Sequence, residues 1–172
     1  AKEGKYPQAV ALFDSCLKAD PQYYKAYNGL GDYYYHNDET DRAIYFFQKA
    51  LAIEPEYEVA HNNLGTAYIS KGLREKAFSE FQEAAKINPN YGQAHLNLGN
   101  YYLEAQQVSS AIEQYRLAVG QLPYDPKAHY HLAVAYVVAG FENDAIAELD
   151  TALSYDTTFV QAKDLLGRLK KK

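Results

Sequence analysis

Three histidines, His61, His95 and His129, recur along the 172-residue chain at a constant step. Imidazole is the side chain best suited to acid–base work and metal ligation near neutral pH, so a zinc site is the first chemistry to weigh. Zinc needs its ligands within about 2 Å of one ion. Residues repeated at a fixed period fall one to each structural unit and do not converge. His129 and His131 stand two apart and on a helix would point to different faces. The spacing favours packing residues, and neither a metal nor any other cofactor is expected. Cys16 is the single cysteine, so no internal disulfide or thiolate cluster can form; it reads as a small buried apolar residue. Gly29-Leu30-Gly31 lies inside a helical pattern rather than in a phosphate loop, and no serine sits in a nucleophile elbow. The residues point away from an enzyme.

Composition narrows the partners. The chain is 48% hydrophobic and 23% charged, a folded composition, with net charge −5 from 17 basic and 22 acidic residues. Duplex nucleic-acid binders draw most of their affinity from neutralising phosphates, so nucleic acid is not the expected partner. No apolar run reaches the roughly 18 residues of a membrane span, and none of the given residues is expected to act as a signal peptide. The chain contains no methionine and begins Ala1-Lys2-Glu3-Gly4. It is expected to be a processed product or an excised fragment. The compartment is therefore open, with cytoplasm slightly favoured over periplasm or a membrane-associated location.

The elements that carry these residues are set by a repeat. Pro21, Pro55, Pro89 and Pro123 stand 34 residues apart, a period that marks stacked helical hairpins. Laid out at that step, complete units span 24–57, 58–91, 92–125 and 126–159 of a single domain, 1–172. Residues 1–23 form a partial unit holding only a second helix, and 160–172 form a terminal partial or capping helix. The first segment of each unit repeats Leu30-Gly31 with Tyr34, Leu64-Gly65 with Tyr68, Leu98-Gly99 with Tyr102, and Leu132-Ala133 with Tyr136. The second repeats Ala43, Phe47 and Ala50; Ala77, Phe81 and Ala84; Ala111, Tyr115 and Ala118; Ala145, Leu149 and Ala152. Steps of three and four place each set on one helical face, where small residues admit a close neighbour and large ones fill the gaps. Gly72 and Gly140 fall where each hairpin reverses. Asp125-Pro126 supplies a cap followed by proline in the first turn.

This pattern resembles the tetratricopeptide-repeat family over nearly the whole chain. Histidine replaces the usual large aromatic at His61, His95 and His129, and Thr157 replaces the final proline of the fourth unit. The resemblance implies an all-α, right-handed superhelical solenoid of stacked antiparallel helix pairs with no sheet. It also implies a non-catalytic scaffold that binds an extended peptide or a partner helix in a concave groove lined by the first helix of each unit. In the family, helix positions two, five, six, nine, twelve and thirteen face that groove. Carried onto this sequence, these positions make Asn28, Asn62, Asn63, Asn97, Asn100, Lys127, Tyr130 and His131 the candidate binding residues, on a wall asparagine-rich early and apolar toward the fourth unit. An asparagine amide offers donors and an acceptor together and so can pair with a peptide backbone whatever its side chains. Asn63 and Asn97 occupy one position in successive units, which is similar to the asparagine ladder in the repeat domain of O-linked N-acetylglucosamine transferase. Gly29 and His131 stand at that position in the flanking units. A carboxylate clamp of the heat-shock co-chaperone kind is matched at Asn97 and Lys127; Asn62 and Thr66 depart from it, and His131 would serve only when protonated. Tyr33, Tyr35, Tyr101 and Tyr130 exceed the consensus tyrosines and are expected to lie partly in the groove. Two alternatives stand beside the scaffold reading: the repeat domain of a larger enzyme such as a glycosyltransferase, and self-assembly through the incomplete first unit, where Leu12 and Phe13 would lack a covering helix.

Overall fold

The computed structural model describes residues 6–171, and among these all regular structure is helical. Two compact units divide the chain between Asn88 and Pro89. The first holds α1 (Tyr6–Ala19), α2 (Tyr24–His36), α3 (Thr40–Ile53), α4 (Glu58–Ser70) and α5 (Arg74–Ile87). The second holds α6 (Gly92–Glu104), α7 (Val108–Gln121), α8 (Pro126–Ala139), α9 (Glu142–Tyr155) and α10 (Val160–Leu169). Within each unit, helices adjacent in sequence pack against one another, and the first helices of neighbouring repeats also meet, α2 with α4 and α6 with α8. Short turns leave consecutive helices no choice but to run antiparallel.

The core repeats one contact. An aromatic ring from the second helix of a hairpin packs against a glycine of the first. A Cβ built on Gly31 would come within 2.5 Å of the Phe47 ring, one on Gly65 within 2.5 Å of Phe81, and one on Gly99 within 2.5 Å of Tyr115. The fourth hairpin reaches the same density differently, with Ala133 facing the smaller Leu149, both fully buried. Alanines on either side of each large residue (Ala43 and Ala50, Ala77 and Ala84, Ala111 and Ala118, Ala145 and Ala152) are buried completely and let the helices close.

All four hairpin turns place a left-handed residue at the same register position. Gly72 and Gly140 have φ of 73° and 82°, and Asp38 and Gln106 adopt φ of 62° and 61° there without being glycine. The turn geometry is thus dictated by the packing of the two helices. Where the residue is not glycine, the surrounding hydrogen bonds hold it: the amides of Glu39 and Gln107 bond the carbonyls of Tyr34 and Tyr102 at 2.9 and 2.8 Å. At the start of α8, Asp125 Oδ1 accepts from the Lys127 amide at 2.8 Å, with Pro126 in the first turn.

Candidate functional site

The candidate wall belongs to the first helices of the repeats, α2 and α4 in the first unit and α6 and α8 in the second. In the first unit, Asn28 and Asn63 are half-buried and joined: Asn63 Nδ2 donates to Asn28 Oδ1 at 3.2 Å. The bond links position five of one repeat to position six of the next, so the two amides stand side by side. It uses one donor and one acceptor. The Asn28 amino group and the Asn63 Oδ1 atom take no part in it, a donor next to an acceptor in the arrangement that matches the edge of a peptide group. Farther along the same helices, the Tyr35 and Ser70 hydroxyls bond at 3.0 Å.

Asn62 does not join this wall. It is 4% exposed, and no buried side-chain nitrogen or oxygen among the described residues lacks a hydrogen-bond partner. The expectation that it faces a ligand is corrected by its burial. The equivalent Leu96 of α6 is also 4% exposed and belongs to a cluster with Ala128, Leu132 and Ala135 of α8. Position five turns into the seam between helices, and only where the packing leaves room, as at Asn28, does it reach the surface.

In the second unit, Asn100 of α6 is tied to the core. The Tyr115 side chain is fully buried and its hydroxyl donates to Asn100 Oδ1 at 2.8 Å. Burial pushes the phenol far above its ordinary pKa, so it stays protonated and must find an acceptor. Turning the Asn100 amide over would leave that buried proton unpaired, at a cost of about 1–3 kcal/mol. Asn100 therefore faces the wall with its amino group. Phenylalanine stands at the equivalent sites of the two preceding repeats, Phe47 and Phe81, so this orientation is particular to the third repeat. Tyr115→Phe is expected to cost about 0.5–1.5 kcal/mol, read as a small drop in melting temperature, and to release the Asn100 amide to either orientation.

His131 stacks on the Tyr115 ring, centroids 5.7 Å apart and planes 19° from parallel. Burial lowers its pKa despite the opposing influence of Asp125, and Lys127 lowers it further. It is a neutral ring at pH 7 and does not supply the cation that a carboxylate clamp would require of it. Lys127 is exposed one turn before it. Tyr130 is half-buried, its ring 5.1 Å from that of Phe159 and 5.7 Å from that of His131. Asn97 is half-buried at the register position of Asn63. Toward the end of α8 the wall turns apolar, with Val134 and Val137 half-buried and Val138 59% exposed.

The three histidines lie away from this wall and do more than pack. Each bonds at both ring nitrogens: His61 to Glu80 at 2.6 Å and the Pro55 carbonyl at 3.0 Å, His95 to Gln114 at 2.8 Å and the Pro89 carbonyl at 2.9 Å, and His129 to Glu148 at 2.6 Å and the Pro123 carbonyl at 3.0 Å. The first repeat carries Tyr27 and Phe46 at the same two places, with rings stacked at 6.5 Å. A signal for these pairs was present in the sequence. The residue nineteen positions after each histidine is Glu or Gln, and it becomes aromatic where the histidine does. Among the described residues no group of three or more His, Cys, Asp or Glu side chains could hold a metal ion, and no helix is long and apolar enough to cross a membrane.

The family model for the tetratricopeptide repeat matches residues 1–58 and 62–126. With the hairpin packing above, this places the chain in the tetratricopeptide-repeat family. Among solved structures, it is similar to TTC0263, a thermophilic TPR protein of Thermus thermophilus. They share 23% identity and a TM-score of 0.77, over 98% of this chain and 92% of that one. MamA matches at 24% identity and TM-score 0.71, over 92% and 87% of the two chains. YrrB, described as a TPR protein with an unusual peptide-binding site, matches at 24% identity and TM-score 0.70, over 94% and 83%. At these identities the likeness speaks to the fold. No curated protein matches the chain.

Proposed function

We propose that the chain is a non-catalytic interaction scaffold that binds an extended peptide along the first-helix faces of its repeats. The observation that carries this reading is the Asn28–Asn63 amide pair, which leaves a donor beside an acceptor at the surface. A peptide group offers a carbonyl and an N–H at comparable spacing, so the pair would hold backbone and leave side-chain choice to its surroundings. The Asn100 amino group and exposed Lys127 of the second unit supply donors only, which suits carbonyl or carboxylate oxygens there. The description of YrrB as carrying a peptide-binding site adds to the case by analogy of fold.

The test is binding of peptides selected from a random display library on the wild-type protein. Substituting Asn28→Ala and Asn63→Ala together is expected to weaken the selected peptides at least about tenfold, the loss of one to two net hydrogen bonds, with the melting temperature little changed. Full affinity in the double variant would remove the amide pair from the site. An Asn97→Ala, Asn100→Ala variant tests the second unit separately.

A further inference from the structure

The bonding of the histidines fixes where protons must be. A carbonyl oxygen only accepts, so Nε2 of His61 carries a proton toward Pro55. Its Nδ1 lies 2.6 Å from Glu80 Oε2, a separation that requires one proton between the two atoms. With both nitrogens engaged in this way, the ring and carboxylate together hold one proton more than a neutral histidine and a free carboxylate would. If that proton leaves, the Nδ1 lone pair faces a negative oxygen, and the contact becomes repulsive. His129 with Glu148 and Pro123 repeats the geometry at the same two distances. The middle clamp differs in one atom type. Gln114 is a carboxamide, which can turn to offer an N–H to a neutral ring and so needs no extra proton.

We propose that the His61–Glu80 clamp is a proton-held joint that loosens as pH rises. The joint ties the turn before α4 to α5, the second helix of the same hairpin. Loss of the Nδ1 proton loosens the tie to α5, while Nε2–H still holds the Pro55 carbonyl. The surroundings of His61 agree. From the turn after α3 comes the Pro55 carbonyl, and from α5 the carboxylates of Glu80 and Glu83; α2 meets α4 on its far side, through Asn28 and Tyr35. Burial opposes the charge on His61, but the bonds to Glu80 and Pro55 and the nearby Glu83 outweigh it, and its pKa is raised. A raised histidine pKa means the stabilisation is complete below the unfolded value near 6.5 and is lost as pH climbs through the folded value.

The experiment follows ring 15N shifts of His61 by NMR, and the melting temperature, between about pH 5 and 9 in wild type and Glu80→Gln. In the wild type His61 is expected to keep both nitrogens protonated to a higher pH than in the variant. Glu80→Gln should reduce its proton affinity about tenfold, the effect of one adjacent carboxylate, and flatten the fall of melting temperature on the alkaline side. If His61 titrates alike in the two proteins, or the alkaline slope is the same in both, the joint is not proton-held. The wild-type titration alone decides the point should a variant fold poorly.

Discussion

Replacing Phe47 by alanine is expected to cost about 3–5 kcal/mol, the range for removing a large buried aromatic from a packed core. Phe47 is 1% exposed, lies on Gly31, and is flanked by Ala43 and Ala50, both fully buried. Three backbone-close neighbours without long side chains cannot swing in to fill the space, so the cavity persists and its walls lose their contacts. Urea denaturation monitored by circular dichroism should show a clearly lower midpoint. Val160→Ala, at a residue 62% exposed, should stay within about 0.5 kcal/mol of wild type. A Phe47→Ala protein as stable as the Val160→Ala control would mean the ring is not a core element.

The second large effect concerns the glycines beneath the rings. Gly65→Ala adds a Cβ that would meet the Phe81 ring at 2.5 Å and 2.8 Å. Overpacking of this kind costs about 1–3 kcal/mol, against a gain of up to about 1 kcal/mol from alanine's better helix propensity. The cost wins because the ring is 2% exposed and has nowhere to move. The fourth repeat indicates the remedy, since there alanine at 133 is accompanied by leucine at 149. Gly65→Ala combined with Phe81→Leu should therefore be more stable than the sum of the single changes, with a coupling of about 1–2 kcal/mol in a double-mutant cycle. Strict additivity would show that the two positions do not share a contact.

That coupling also illustrates what a periodic sequence exposes. The glycine–aromatic and alanine–leucine pairs can be read from the repeats by aligning them, because the same contact recurs and each unit varies it once. Helix starts follow for the same reason: α2, α4, α6 and α8 begin at Tyr24, Glu58, Gly92 and Pro126, one repeat apart. Local signals sufficed there because each hairpin is made of residues close in sequence, and stacked hairpins see nearly the same neighbours every time.

The wall residues were less legible. A face assigned by position treats all repeats alike, yet Asn62 is buried while Asn28 at the same position is bonded at the surface to Asn63. The difference depends on the packing around each asparagine, which no single repeat encodes. Asn100 looked interchangeable with any surface asparagine, but its oxygen accepts the Tyr115 hydroxyl. The histidines, which the spacing reduces to packing, are pinned at both nitrogens. Gln106 and Asp38 gave no turn signal and adopt left-handed backbone because the helices on either side leave no alternative.

By itself the sequence determined the class of the protein: the period, the paired small and large residues and the turn glycines dictate helical hairpins, since any other arrangement would expose those faces. Only the tertiary structure decided which polar groups are spent inside the fold and which remain for a partner. Hydrogen-bond direction depends on atoms brought together from different helices, and a proton between His61 and Glu80, nineteen residues apart, exists only once α4 and α5 are packed.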